Sequence, residues 1–226
     1  MIITIDGPSA SGKSTVARGL ATRLNFYYIA SGMLFRAIAY VVTSTTEFTL
    51  DTLADSAGAK VQELVASGKL RYTYDKGHEK IYYDNVEITP FLKTSTLDQY
   101  ASIIATNKTV RDCINAFQRS IADDYNIVAD GRDMASVVFP TADVKFFLTA
   151  TLRVRAHRWQ KDQAHKGLHF TYDQACDALQ ERDERDKVQL TSPLLGDIIV
   201  VDNSSLTIEQ TIETLLGYIL NKKGMD

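Results

Sequence analysis

Short apolar runs alternate along the chain with stretches in which apolar residues recur every three or four positions. Ile2–Asp6 is a run of strand length, and Lys13–Leu24 behind it places Val16, Leu20 and Leu24 on one face of a helix. Residues 26–29 predict a second strand and 32–42 a second helix. Three further runs, 126–130, 144–150 and Ile198–Asp202, are rich in β-branched and aromatic side chains, the composition of strands buried on both faces. Helical spacing fills the intervals at 108–122, 152–164, 172–187 and 208–220. Five such strands separated by helices predict an α/β fold, a five-stranded parallel sheet flanked by helices.

One region breaks this rhythm. Residues 70–74 alternate as Leu-Arg-Tyr-Thr-Tyr, turn residues follow at 75–78, and two more short runs at 80–83 and 86–88 flank Asp84-Asn85. This pattern predicts a small antiparallel three-stranded sheet. Helical patterns at 53–66 and 97–106 enclose it, so 44–106 is expected to be an insert in a core made of 1–43 and 107–226. Pro90, Pro140 and Pro193 fall at element boundaries, where a missing N–H and a fixed φ are tolerated.

Composition narrows the function. Hydrophobic residues make up 45% of the 226 positions and charged residues 23%, which excludes a globally disordered chain. The net charge of −3 argues against a general nucleic-acid binder, whose affinity needs surplus Lys and Arg, but leaves room for a small anion held by local arginines. Cys113 and Cys176 are far apart and outside any CxxC spacing, so no disulfide framework is expected and a reducing compartment fits. No apolar run reaches the roughly 18 residues of a membrane span, and no basic leader precedes Ile2, so a cytoplasmic protein is expected.

The chemistry starts at Gly7-Pro8-Ser9-Ala10-Ser11-Gly12-Lys13-Ser14-Thr15, which matches GxxxxGK[ST] between a strand and a helix, the context its mechanism requires. Glycines permit close approach, successive N–H groups point at a β-phosphate, and the helix N-terminus adds partial positive charge. Lys13 reaches the β- and γ-phosphates, and the Ser14 hydroxyl is placed to ligate Mg²⁺. Such a loop suits a small-molecule kinase, a GTPase-like switch or a motor. Motors need a longer chain. Asn107-Lys108-Thr109-Val110 starts like a guanine-reading segment but has Val110 where an aspartate belongs. Arg155 and Arg158, and likewise Arg182 and Arg185, are three apart and share a helix face, a supply of cations for a transferring phosphoryl group. Residues 161–170 between the pairs contain Gly167 and polar side chains suited to a moving lid that excludes water. Asp130 closes a buried strand and either holds water on Mg²⁺ or pairs with Arg132.

These motifs together carry a resemblance. The opening from Ile3 through Thr15 resembles that of bacterial-type cytidylate (CMP) kinases, in the P-loop nucleoside monophosphate kinase superfamily. Ala129-Asp130-Gly131-Arg132-Asp133-Met134 with Val137-Val138-Phe139-Pro140, then Glu181 through Asp186, and Ser31-Gly32 followed by Arg36, are similar to its other signatures, in order over essentially the whole chain. The resemblance implies a P-loop NTPase fold with a β-containing CMP-binding insert and a helical lid at about 153–187. It implies transfer of the ATP γ-phosphate to CMP or dCMP, with Mg²⁺. By the same resemblance Arg155, Arg158 and Arg182 face the ATP–CMP junction, and Arg36 and Arg132 clamp the CMP phosphate. Asp133 and Arg111 read cytosine with Ser102 as a hydroxyl partner, Asp186 holds the ribose, and Ser31 belongs to the CMP site. Two positions depart from the family pattern: Ala30 stands where an aspartate is usual, and Gln189 where an arginine is usual. A kinase of UMP or another small acceptor, or a nucleotide-binding module without transfer, are the competing readings. A monomer is expected, because closing around two nucleotides needs free domain movement.

Overall fold

The computed structural model describes residues 1–45, 47–75, 77–187, 190 and 196–223. Contacts divide the chain into two units, Met1–Phe26 with Val128–Asp226, and Tyr27–Ile127.

The apolar runs become the strands. They are β1 (Ile2–Asp6), β2 (Tyr27–Ala30), β6 (Ile127–Gly131), β7 (Val144–Thr149) and β8 (Ile198–Asp202). Among the described residues they form one five-stranded parallel sheet of order β2-β6-β1-β7-β8. β1 runs in register with β7 from Ile3 opposite Val144 to Asp6 opposite Phe147. β7 pairs with β8 from Lys145 opposite Ile198 to Thr149 opposite Asp202. Ile3, Ile5, Val128, Phe146 and Leu148 are buried, as strands covered on both faces require, whereas β8, at the end of the strand order, leaves Val200 exposed and departs from the burial on both faces read from its composition. The order places the end of β1 between the ends of β6 and β7, at the carboxyl ends of the strands, where open α/β folds bind ligands.

In the first unit α1 (Lys13–Leu24), α6 (Leu152–His165), α7 (Tyr172–Asp186) and α8 (Ile208–Lys223) join these strands. Ala156, Ala175 and Leu179 bind α6 to α7 in a small apolar cluster that also takes Leu152, Trp159, Cys176 and Ala10. α6 runs through His165, so 161–165 are helical, and a short connection leads to α7 at Tyr172.

The second unit holds β2, α2 (Ser31–Thr45), α3 (Leu50–Ala66), β3 (Leu70–Asp75), β4 (His78–Tyr83), β5 (Val86–Glu87), α4 (Ser95–Ile104) and α5 (Lys108–Asp124). β3, β4 and β5 form the antiparallel three-stranded sheet that the alternation predicts. Threonine and asparagine caps start the helices: Thr49 with Thr52 on α3, Thr94 on α4 and Asn107 on α5. Asn107 accepts from Val110 N–H at 3.1 Å and donates to Ala54 O at 2.8 Å, so the Asn-Lys start of that segment is a helix cap. Tyr27 stacks on Tyr125 at 4.5 Å and meets Tyr72 and Tyr74, and burial raises its pKa to about 12. These tyrosines are packing. Cys113 and Cys176 are free thiols, and no described helix is long and apolar enough to cross a membrane.

Candidate phosphate-transfer site

β1 delivers the chain into a loop that only glycine can start. A Cβ on Gly7 would lie 2.1 Å from the Leu148 carbonyl oxygen of β7. Ala10 at φ 59° and Gly12 at φ 90° turn the loop back into α1. Gly12 is the N-cap and supplies no side-chain acceptor, in contrast to the Thr151 and Thr171 caps of α6 and α7. The first N–H groups of α1 are thus left for an anion.

Three guanidinium groups hold the loop from outside. Arg132, just after β6, donates to Gly7 O at 3.0 Å and Ser9 Oγ at 2.8 Å. Arg155 of α6 donates to Ser9 O at 3.2 Å, and Arg158 one turn on donates to Ser11 O at 3.1 Å. A trans peptide points its N–H opposite its C=O, so fastening the Ser9 and Ser11 carbonyls turns the Ala10 and Gly12 N–H groups to the other side. Acidic residues of α7 steady two of the cations. Arg132 Nε donates to Asp186 Oδ2 at 2.7 Å, and Arg155 pairs with Asp183 at 2.8 Å. Arg182 Nε lies 4.0 Å from the same Asp186 oxygen.

Lys13 is 8% exposed, and its ammonium donates to Pro8 O at 3.1 Å. Burial, and secondly the Arg132 charge, drives its pKa well below the ordinary lysine value. The unfolded chain therefore binds more protons between the depressed folded pKa and the ordinary one, and stability rises with pH across that window. Below the folded value both states hold the proton and the penalty is present in full. Lys13→Met should accordingly raise the Tm of the nucleotide-free protein at neutral pH by about 2–4 °C, with the gain shrinking at alkaline pH. Thermal denaturation of both proteins over a pH series checks this, and a lowered Tm for the variant contradicts it.

Ser14 Oγ donates to Asp130 Oδ2 at 2.7 Å, joining the start of α1 to the end of β6. Asp6 is fully buried and receives Met134 N–H and Ala135 N–H, each at 2.9 Å, on its two carboxylate oxygens. It thereby anchors a π-helical turn, Met134–Val138, that follows the buried Asp133. The Asp133 carbonyl accepts from Val137 and Val138. Asp6→Asn would set an amide donor against one of the two N–H groups. It should lower the unfolding free energy by about 1–3 kcal/mol, read from denaturant midpoints.

The second unit carries its own polar group. Ser31 is the buried first residue of α2. Arg36 donates through Nε to Asp98 Oδ1 at 2.7 Å. Asp98 and Ser102 are one turn apart on α4, so Ser102 lies on the face that carries this ion pair. Arg111 of α5 donates to Ala105 O at 3.4 Å and stands 5.8 Å from the centre of the Phe35 ring, next in sequence to Arg36. Ala30 N–H donates to the Tyr72 hydroxyl at 3.1 Å, which itself donates to Tyr28 O at 3.0 Å. Gln189 lies outside the described residues.

Sequence reasoning passed over Asp6, Asp98, Asp183 and Asn203. Asn203 lies just past β8, donates to Ser11 O at 3.0 Å and accepts from Arg158 at 3.0 Å. A polar residue directly after a strand was the available signal for Asn203, as it was for Arg132 after β6.

A family model described as cytidylate kinase matches residues 3–221. A cytidylate kinase of Polynucleobacter asymbioticus is 38% identical over 220 residues, covering 96% of this chain and 95% of that one. A cytidylate kinase of Shouchella clausii is 33% identical over 219 residues, with the same two coverages of 96% and 95%. The crystal structure of an uncharacterized protein from Eubacterium ventriosum aligns over 97% of this chain and 98% of its own at 14% identity and a TM-score of 0.53, a likeness of fold alone. On the match that runs from residue 3 to residue 221, the chain belongs to the cytidylate kinase family of nucleotide phosphotransferases.

Proposed function

We propose that the chain phosphorylates CMP and dCMP to CDP and dCDP with ATP. An oxygen of the acceptor phosphate bonds to the γ-phosphorus as the bond from that phosphorus to the β–γ bridging oxygen breaks, and ADP leaves. In a chain of this family, the observation that carries the reading is the phosphate loop with the Gly7, Ser9 and Ser11 carbonyls fastened by Arg132, Arg155 and Arg158. A guanidinium has five N–H donors and holds a carbonyl and a phosphate oxygen together.

In this reading Gly7 through Thr15 cradle the donor triphosphate, and Lys13 follows the γ-phosphoryl group. Arg155, Arg158 and Arg182 offset the charge that spreads over its oxygens. Arg36 and Arg132 hold the acceptor phosphate, and Ser31 belongs with them. Asp133, Arg111 and Ser102 serve the cytosine and Asp186 the ribose. Residues 44–106 are proposed as an acceptor-binding insert and 153–187 as a lid. Ser14 Oγ and the Asp130 carboxylate, 2.7 Å apart, are hard oxygen donors of the kind Mg²⁺ takes, directly or through water. When bound with the nucleotide, Mg²⁺ supplies positive charge to the β- and γ-phosphate oxygens.

A coupled assay of ADP release over CMP, dCMP, UMP and AMP tests the reading. CMP and dCMP should be used far better than UMP or AMP. Preferred use of UMP would assign a different acceptor, and no release with any of them would leave a nucleotide-binding module.

A further inference from the structure

Asn203 links the end of β7, the phosphate loop and Arg158. It is buried, and its N–H donates to Thr149 O at 2.9 Å, continuing the β7–β8 pairing one residue past β8. The backbone is therefore set by the sheet before the side chain makes any contact. From that seat Nδ2 donates to Ser11 O at 3.0 Å, while Oδ1 and the backbone O accept Arg158 Nη1 and Nη2, each at 3.0 Å. Arg158 Nη1 also reaches Ser11 O at 3.1 Å, so the amide, the guanidinium and the loop carbonyl close a triangle. The triangle covers the Cα of Gly12, where a Cβ would come within 3.7 Å of Asn203 Nδ2 and 3.8 Å of Arg158 Nη1.

Arg158 would otherwise be poorly held. Arg155 and Arg132 are steadied by direct bonds to the carboxylates of Asp183 and Asp186, whereas Arg158 bonds the neutral Asn203 amide, with the Asp202 carboxylate as a nearby countercharge. A neutral acceptor orients the fork without itself neutralising the cation.

We infer that Asn203 is a positioning residue for phosphoryl transfer: it aims the Arg158 guanidinium along the phosphate loop, with the Ser11 carbonyl as their shared anchor. The inference rests on the kinase reading above, in which Arg158 acts on the transferring group. Asn203→Ala should lower kcat by about 10- to 100-fold, as a misplaced catalytic group does, with KM for ATP changed by no more than about threefold. Asn203→Ser keeps a short donor and acceptor and should recover most of the lost kcat.

The deciding measurement is a double-mutant cycle of Asn203→Ala with Arg158→Ala, read as kcat at saturating ATP-Mg²⁺ and CMP, with Tm recorded for each protein. Arg158→Ala alone should cost about 100-fold or more, and Asn203→Ala should then add less than about twofold, because its effect runs through Arg158. A large Arg158→Ala loss with Asn203→Ala adding its full effect on top overturns the inference and leaves the kinase reading standing. Near-parental turnover of Arg158→Ala overturns the role of Arg158 in that reading, and the inference with it. If Asn203→Ala is too unstable to assay, Asn203→Gln, which keeps both polar groups but displaces them by a methylene, carries the cycle. A Gln variant with parental kcat, or with a loss fully additive beside Arg158→Ala, makes Asn203 a structural residue only.

Discussion

Lys13→Met should lower kcat by about 10³-fold or more while the protein still folds and still binds ATP. Methionine replaces the ammonium with an apolar chain of similar reach. Methionine releases the Pro8 carbonyl, but the Gly7, Ser9 and Ser11 carbonyls stay fastened by Arg132, Arg155, Arg158 and Asn203. On the proposed reading, what disappears is the mobile charge that neutralises the γ-phosphoryl group as it leaves the β–γ bridging oxygen. The depressed pKa of Lys13 marks the same economy from the other side, since a cation buried beside Arg132 is costly until phosphates arrive. Loss of transfer and a raised apo-protein Tm are therefore expected together. Single-turnover kinetics with labelled ATP, alongside calorimetric ATP binding, tests the pair. Turnover near the parental rate would remove Lys13 from the chemistry.

Asp133→Asn is expected to erode the choice of base. If the carboxylate accepts from the cytosine N4 amino group, an amide in its place can turn and donate to the O4 of uracil. A base contact of this kind discriminates by roughly 1–3 kcal/mol, so the CMP-to-UMP ratio of kcat/KM should fall about 5- to 150-fold. The loss should fall mainly on CMP. Asp133 is buried and follows Arg132 directly at the head of the π-helical turn, so both substrates need measuring beside a Tm. Equal losses for CMP and UMP would make Asp133 a support for the turn, and base selection would then be sought at Ser102 and Arg111.

Local patterns translated well into elements. β1, α1 and β8 occupy the spans read from the chain, and β2 and β6 begin one residue later than expected. α2 and α8 extend to Thr45 and Lys223, past the last apolar positions, because a helix once nucleated continues through polar residues that apolar spacing does not register. The π-helical turn after Asp133 was not legible. Its anchor is Asp6, 128 residues earlier, and nothing in the spacing of residues 134–138 announces that partner. The sequence pointed to the arginines as cations for a transferring phosphoryl group, a role that stays a proposal, but it did not point to the carbonyls and carboxylates that the structure pairs with them.

The sequence by itself determined what short-range chemistry controls: which runs become strands, where the phosphate loop lies, and that Gly12 opens a helix without a side-chain cap. Those features follow from backbone freedom, side-chain period and the need of N–H groups for partners, all within a few residues. Tertiary structure alone decided which cation meets which carbonyl. Placing β1 between β6 and β7 brings Asp130 to Ser14 across 116 residues, and the turn after β8 brings Asn203 to Ser11 across 192. The physical reason is that any arginine or asparagine suits any carbonyl equally until strand order sets the distances. A hydrogen bond forms only within about 3 Å, and that separation is a property of the assembled sheet.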